Sequence, residues 1–110
     1  MEKILDKMIK SLAKSRVVLV IEKLESQLHF VDSVKEMNTD QVKLFIADAK
    51  ELIEYNEWRV ALENLLENLY EVDYKIDIET YNLIKEAIIK NKMNIQDWSF
   101  IDQLLLPPSE

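Results

Sequence analysis

The chain has no cysteine and no glycine, two prolines and a single histidine in 110 residues. Without cysteine there is no disulfide, no thiolate zinc site and no thiol nucleophile. Without glycine, neither the phosphate-cradling loop nor the dinucleotide fingerprint can form in its usual way. Both need positive φ and close approach of the backbone to the ligand. Two-residue hairpins lean on glycine as well, which argues against a β-rich fold. Positive φ must then fall to asparagine, the next most tolerant residue. Asn38, Asn56, Asn91 and Asn94 stand where the apolar periodicity breaks. The longest apolar run, Val17 to Ile21, is too short to cross a bilayer, and the first residues do not read as a secretory leader. A cysteine-free chain without these segments is expected in the cytosol, with no membrane partner.

What is present is helical periodicity. With 48% apolar and 32% charged residues, the composition suits one soluble domain, expected over residues 1–106 with a frayed tail at 107–110. A first stripe is Ile4, Leu5, Met8, Ile9 and Leu12, and a second is Val17, Val20, Ile21, Leu24, Leu28 and Val31. The phase shifts near Ser15, and a break or kink is expected there. Asn38 stops this helix, and Thr39 is expected to cap the next with its hydroxyl. The third stripe (Val42, Phe45, Ile46, Ala49, Leu52, Ile53) ends at Tyr55-Asn56. The fourth (Trp58, Ala61, Leu62, Leu65, Leu66, Leu69) steps by three or four throughout. Asp77 is the expected N-cap of a fifth helix through Tyr81, Ile84 and Ile88, and Asn94 caps a short last one carrying Trp98, Ile101, Leu104 and Leu105. Short breaks imply antiparallel neighbours. The expected fold is an all-α bundle of five or six helices.

The charge is unevenly placed. Residues 51–80 hold nine acids and two bases, Arg59 and Lys75, a balance of −7; the other eighty residues hold twelve of each sign. Crowded like charges do nothing for a compact fold, but they steer a basic partner. Glu63, Glu67 and Glu71 stand four apart on the fourth helix with no lysine three or four positions away. Each like-charge step costs about 0.2–0.5 kcal/mol, and Glu71 also opposes the helix dipole. Glu54, Glu57, Asp73 and Asp77 extend this surface, flanked by Tyr70 and Tyr74. An aromatic body with a polar tip suits either core or interface.

Other chemistries fare worse. No stretch has calcium-loop spacing, and a helical di-metal site would want Glu-x-x-His pairs. His29 has Glu25 four residues before it but no serine or acid arranged as a relay. No catalytic residue, metal or cofactor is therefore expected. Trp58 and Trp98 fall in phase with apolar stripes and are expected in the core.

One string carries a family likeness: Glu54-Tyr55-Asn56-Glu57-Trp58-Arg59, then Ala61-Leu62-Glu63, then Leu69-Tyr70-Glu71 followed by Asp73-Tyr74, then Tyr81 with Leu83-Ile84. Over residues 51–89 the chain resembles MafI-type immunity proteins and related immunity proteins of contact-dependent growth inhibition systems. The resemblance implies a small, mostly helical bacterial protein of the cytosol. It would neutralise a toxin domain delivered by a sibling cell, often a nuclease. It transfers no catalytic residue; Trp58, Ala61, Leu62, Leu65, Leu69, Tyr70 and Tyr81 look like scaffold. A nuclease holds a polyanion in a basic cleft, and a glutamate column can occupy that cleft without the inhibitor binding nucleic acid itself. The expected contact residues are Glu54, Glu57, Glu63, Glu67, Tyr70, Glu71, Asp73, Tyr74 and Asp77. The alternative is a helical adaptor or nucleic-acid mimic in a larger complex, using an apolar surface at residues 17–21 or 104–106.

Overall fold

The computed structural model describes residues 2–31 and 39–107, apart from the side chains of residues 2, 3 and 29–31. The expectations for the side chains of His29 and Val31, for Asn38 and for the tail beyond Pro107 lie outside the described residues. Four α-helices, α1 (Glu2–Val31), α2 (Thr39–Glu54), α3 (Trp58–Glu71) and α4 (Ile78–Lys90), precede a 3-10 segment (Ile95–Leu104) kinked at Trp98. Among the described residues the fold is an all-α bundle with five helical elements, as the periodicity predicts.

The expected break at Ser15 is absent. α1 runs straight through it, with the Ser15 hydroxyl donating to the Leu12 carbonyl at 2.9 Å. A serine bonded back to the preceding turn is accommodated inside a helix. The phase shift is instead a change of face. Ala13, Val17, Val20, Ile21, Leu24 and Leu28 are buried, while Ile4, Leu5, Met8, Ile9 and Leu12 lie exposed. At roughly 100° per residue these two stripes fall on opposite sides of one rod.

α1 packs most extensively against α4, and α2 against α3. The α1–α4 pair is antiparallel, as its polar contacts show. Arg16 Nε lies 3.0 Å from Glu86, Lys23 Nζ 3.2 Å from Glu79, and Gln27 Nε2 donates to Asp77 at 2.6 Å. Rising numbers on one helix meet falling numbers on the other. The buried Asn91 amide closes this interface, donating to the carbonyls of Ala13 (3.2 Å) and Ala87 (2.8 Å). One cluster of buried residues draws on every helical element.

Both tryptophans pack against the core as expected, though neither is fully buried. Trp58 and Trp98 are partly buried at the edge of the core, Trp58 with Lys14 Nζ 5.9 Å from its ring centroid. Thr39 is corrected. It is the first residue of α2 and buried, but its hydroxyl makes no hydrogen bond, so it does not cap.

The lack of glycine shows most clearly at helix ends. α2, α3 and α4 each close with the same pair of backbone bonds. Asn56 donates to Ile53 and Glu57 to Leu52; Asp73 to Tyr70 and Tyr74 to Leu69; Lys92 to Ile89 and Met93 to Ile88. This is the Schellman pattern, which needs a left-handed residue after the cap. Asn56 (φ 62°), Asp73 (φ 54°) and Lys92 (φ 60°) take that conformation. Asparagine was expected for the role, and Asn56 fills it; Asn91 and Asn94 keep negative φ. A non-glycine residue there costs about 1–2 kcal/mol. Lys92→Gly is therefore expected to raise stability by about 1 kcal/mol in a urea melt, and a neutral or destabilising result would refute this account of the α4 terminus.

The last segment is held by backbone pairing. Ile76 N–H donates to Leu104 O and Leu106 N–H to Ile76 O, both at 2.8 Å, forming an isolated parallel bridge between Ile76 and Leu105. Buried Ile76, Ile101 and Leu104 lie beneath it.

Candidate functional site

α3 presents its apolar side (Ala61, Leu62, Leu65, Leu66, Leu69) to the core, which turns Glu63, Glu67 and Glu71 outward. The column is not wholly free of bases. Arg59, four residues before Glu63, places Nε 3.3 Å from its carboxylate. Glu67 and Glu71 are exposed and have no ion-pair partner among the described residues.

At the C-terminal end of α3 the carboxylates meet aromatic surface. Glu67, Tyr70, Glu71, Asp73, Phe100 and Gln103 line one open groove of about 700 Å³. The Tyr70 and Phe100 rings stand 4.9 Å apart between centroids, tilted by 41°, and Trp98 follows Phe100 at 5.5 Å. Tyr70 remains 42% exposed, so its face is presented rather than packed away. Asp73 is held at the rim by its left-handed backbone. Lys75 fastens that rim, with Nζ 2.9 Å from the Asp73 carboxylate and 3.0 Å from the Gln103 carbonyl, to which it donates.

Four of the expected contact residues thus come together: Glu67, Tyr70, Glu71 and Asp73. The others are placed apart or differently engaged. Glu54 and Glu57 are exposed at the opposite end of α3, roughly 20 Å away along a fourteen-residue helix. Glu63 is partly occupied by Arg59. Tyr74 is partly buried against the core. Asp77 caps α4 as expected, accepting from Thr80 N–H at 2.8 Å and from Gln27, so its carboxylate serves the fold. The apolar surfaces considered for an adaptor are mostly internal: Val17, Val20, Ile21 and Leu104 are buried.

Phe100 and Gln103 were not legible as site residues. The one available signal was that Phe100 falls off the stripe formed by Trp98, Ile101 and Leu104, and it is only partly buried against the core.

Two titrations are shifted. Burial raises the Asp77 carboxyl, but hydrogen bonds from Thr80 and Gln27 and the charge of Lys23 outweigh it and hold the group below its ordinary value of 3.8. A depressed carboxylate contributes stability that is present above its unfolded pKa and lost as pH falls through the folded one. Parent protein is therefore expected to lose stability more steeply than Asp77→Asn between about pH 5 and pH 2. Equal slopes in parallel denaturant melts would remove Asp77 from the account. Tyr81 is displaced upward, first by its hydrogen bond to Asp102 and then by burial.

Comparison with protein-family models, with curated proteins and with solved structures finds no match. Function must be argued from this surface alone. Among the described residues, no group of three or more histidine or carboxylate side chains is placed to hold a metal ion, and no helix is long and apolar enough to cross a membrane.

Proposed function

We propose that this protein is an immunity-type inhibitor that binds a basic toxin domain in the acidic groove at the end of α3. The observation that carries the reading is one groove in which Glu67 and Glu71, without ion-pair partners among the described residues, stand beside the exposed Tyr70 ring and the partly buried Phe100 ring. Carboxylates without internal partners speed the encounter with a positive cleft, and desolvated aromatic anchors slow release. This is the pairing an inhibitor needs against an enzyme whose substrate is a polyanion. The resemblance over residues 51–89 to MafI-type immunity proteins points the same way, since such proteins neutralise a toxin domain delivered by a sibling cell, often a nuclease. The protein acts stoichiometrically, with no chemistry of its own, in the cytosol where such a toxin would arrive.

Co-expression with the C-terminal domain of a secreted effector encoded beside this gene tests the reading. Cells carrying both are expected to survive, and the two proteins to co-purify at one-to-one stoichiometry. Survival without co-purification, or death despite soluble expression of both, would overturn it. The adaptor reading would gain if the protein instead co-purified with a resident complex through a surface unaffected by substitutions in the groove.

A further inference from the structure

α1 is longer than the body it packs on. Thirty residues make a rod of about 45 Å, and the molecule measures 51 by 29 by 20 Å. The bonds that tie α1 to α4 begin at Ala13, where the Asn91 amide reaches its carbonyl. N-terminal to that point the helix continues with Ile4, Leu5, Met8, Ile9 and Leu12 between 37% and 66% exposed. Leu19, on the same side of the rod, is 37% exposed and carries the line past Ala13. A helical segment this short has little stability alone in water.

We propose that this stripe is the interface of a homodimer, in which the N-terminal halves of two α1 helices pack antiparallel about a two-fold axis at Met8. The area is of the right size. The five side chains expose roughly 450 Å² of apolar surface, within the range of the largest patch on a monomer, which is often functional. Buried on both copies, with the flanking stems, the stripe removes about 1,000 Å², the threshold for a specific interface. A two-fold makes the patch its own complement.

The helix dipoles select direction, because an antiparallel pair opposes them and a parallel pair aligns them. Asp6 pairs with Lys10 within the chain at 3.6 Å, on the side of the rod turned away from the stripe. Met8 is the midpoint of Ile4 to Leu12, so a two-fold axis there brings Ile4 level with Leu12 and covers these five residues. The alternative occupant, an anionic lipid surface, is disfavoured by the lack of any aromatic residue in the segment. The groove at Glu67 and Glu71 lies at the far end of α3 from Trp58, which neighbours Lys14, so both grooves of the dimer stay open.

Sedimentation velocity on the full chain over a wide concentration range is expected to show a reversible species of twice 13.0 kDa. The double substitution Leu5→Glu with Met8→Glu is expected to raise the dimer dissociation constant at least tenfold while leaving the circular dichroism spectrum of the dilute protein unchanged. Met8→Cys is expected to form a disulfide-linked dimer on mild oxidation, and Leu12→Cys far less, because only a residue at the axis meets its own copy. The chain's lack of native cysteine makes that trap clean. A monomer at every concentration would overturn the proposal. So would a dimer indifferent to the double substitution, or equal trapping at both positions. A monomer that co-sediments with phosphatidylglycerol–phosphatidylethanolamine vesicles would assign the stripe to lipid instead.

Discussion

Glu67→Lys combined with Glu71→Lys is expected to slow association with a basic toxin domain about ten- to a hundredfold at low salt. Both residues are exposed and unpaired among the described residues, so their charge is available to an approaching cation-rich surface. Reversal replaces attraction with repulsion at the groove itself. Exposed charges are screened over about 8–10 Å at physiological ionic strength, so the difference should narrow as salt rises. Glu54→Lys with Glu57→Lys changes the net charge by the same amount at the other end of α3. Stopped-flow kinetics on the two variants separate a local contact from general steering. Equal slowing by both pairs would mean that the whole acidic quarter guides the partner and the groove does not receive it. No slowing by either would remove the acidic surface from the interface.

Leu104→Ala is expected to cost about 2–5 kcal/mol, the range for deleting most of a buried leucine. Leu104 is fully buried, and its carbonyl accepts from Ile76, so its side chain seats the backbone bridge that fastens the 3-10 segment. For a domain of this size the loss corresponds to a midpoint lower by on the order of 10–20 °C. Local consequences should come first. The segment carrying Phe100 and Gln103 is held at few points, so the wall of the groove opens before the bundle melts. Hydrogen exchange at Ile76 and Leu106 amides should accelerate more than exchange within α3. Leu106→Ala, at a half-exposed position on the same stretch, should stay within about 0.5 kcal/mol of the parent. A Leu104→Ala midpoint indistinguishable from the parent would show that the segment is held elsewhere.

Helix content and helix ends were readable because they depend on neighbours in sequence. Asp77 and Asn94 have the short polar side chains that satisfy free amides at a helix start, and each accepts the bond expected of it. Asn56 takes the left-handed turn for the same local reason. Asp73 and Lys92 take it without any such signal. The geometry of the helix end dictates a left-handed residue there, and no glycine exists to supply it. Arg59 beside Glu63 was legible by the same four-residue rule that reveals the glutamate column, once arginine is counted with lysine.

The candidate groove was half legible. Its α3 wall follows from helical spacing alone, so Glu67, Tyr70 and Glu71 could be placed on one surface from the sequence. Its other wall, Phe100 and Gln103, lies some thirty residues further along. It reaches Tyr70 through the bridge at Ile76, the hydrogen bond from Lys75 to the Gln103 carbonyl and direct packing on α3, contacts that no local period encodes.

The amino-acid sequence by itself determined an all-α chain, the positions where most of its helices begin and end, and the gathering of its net charge into one quarter of its length. These follow from turn chemistry, helical period and composition, which act within a few residues. The tertiary structure alone decided which apolar stripe is covered. A period of 3.6 marks Ile4 to Leu12 and Val17 to Leu28 alike as faces to be buried, but α2, α3 and α4 cover only the second. The reason is geometric: α4 is thirteen residues long against the thirty of α1. Its buried Asn91 ends the contact at Ala13, so the first stripe is left facing outward.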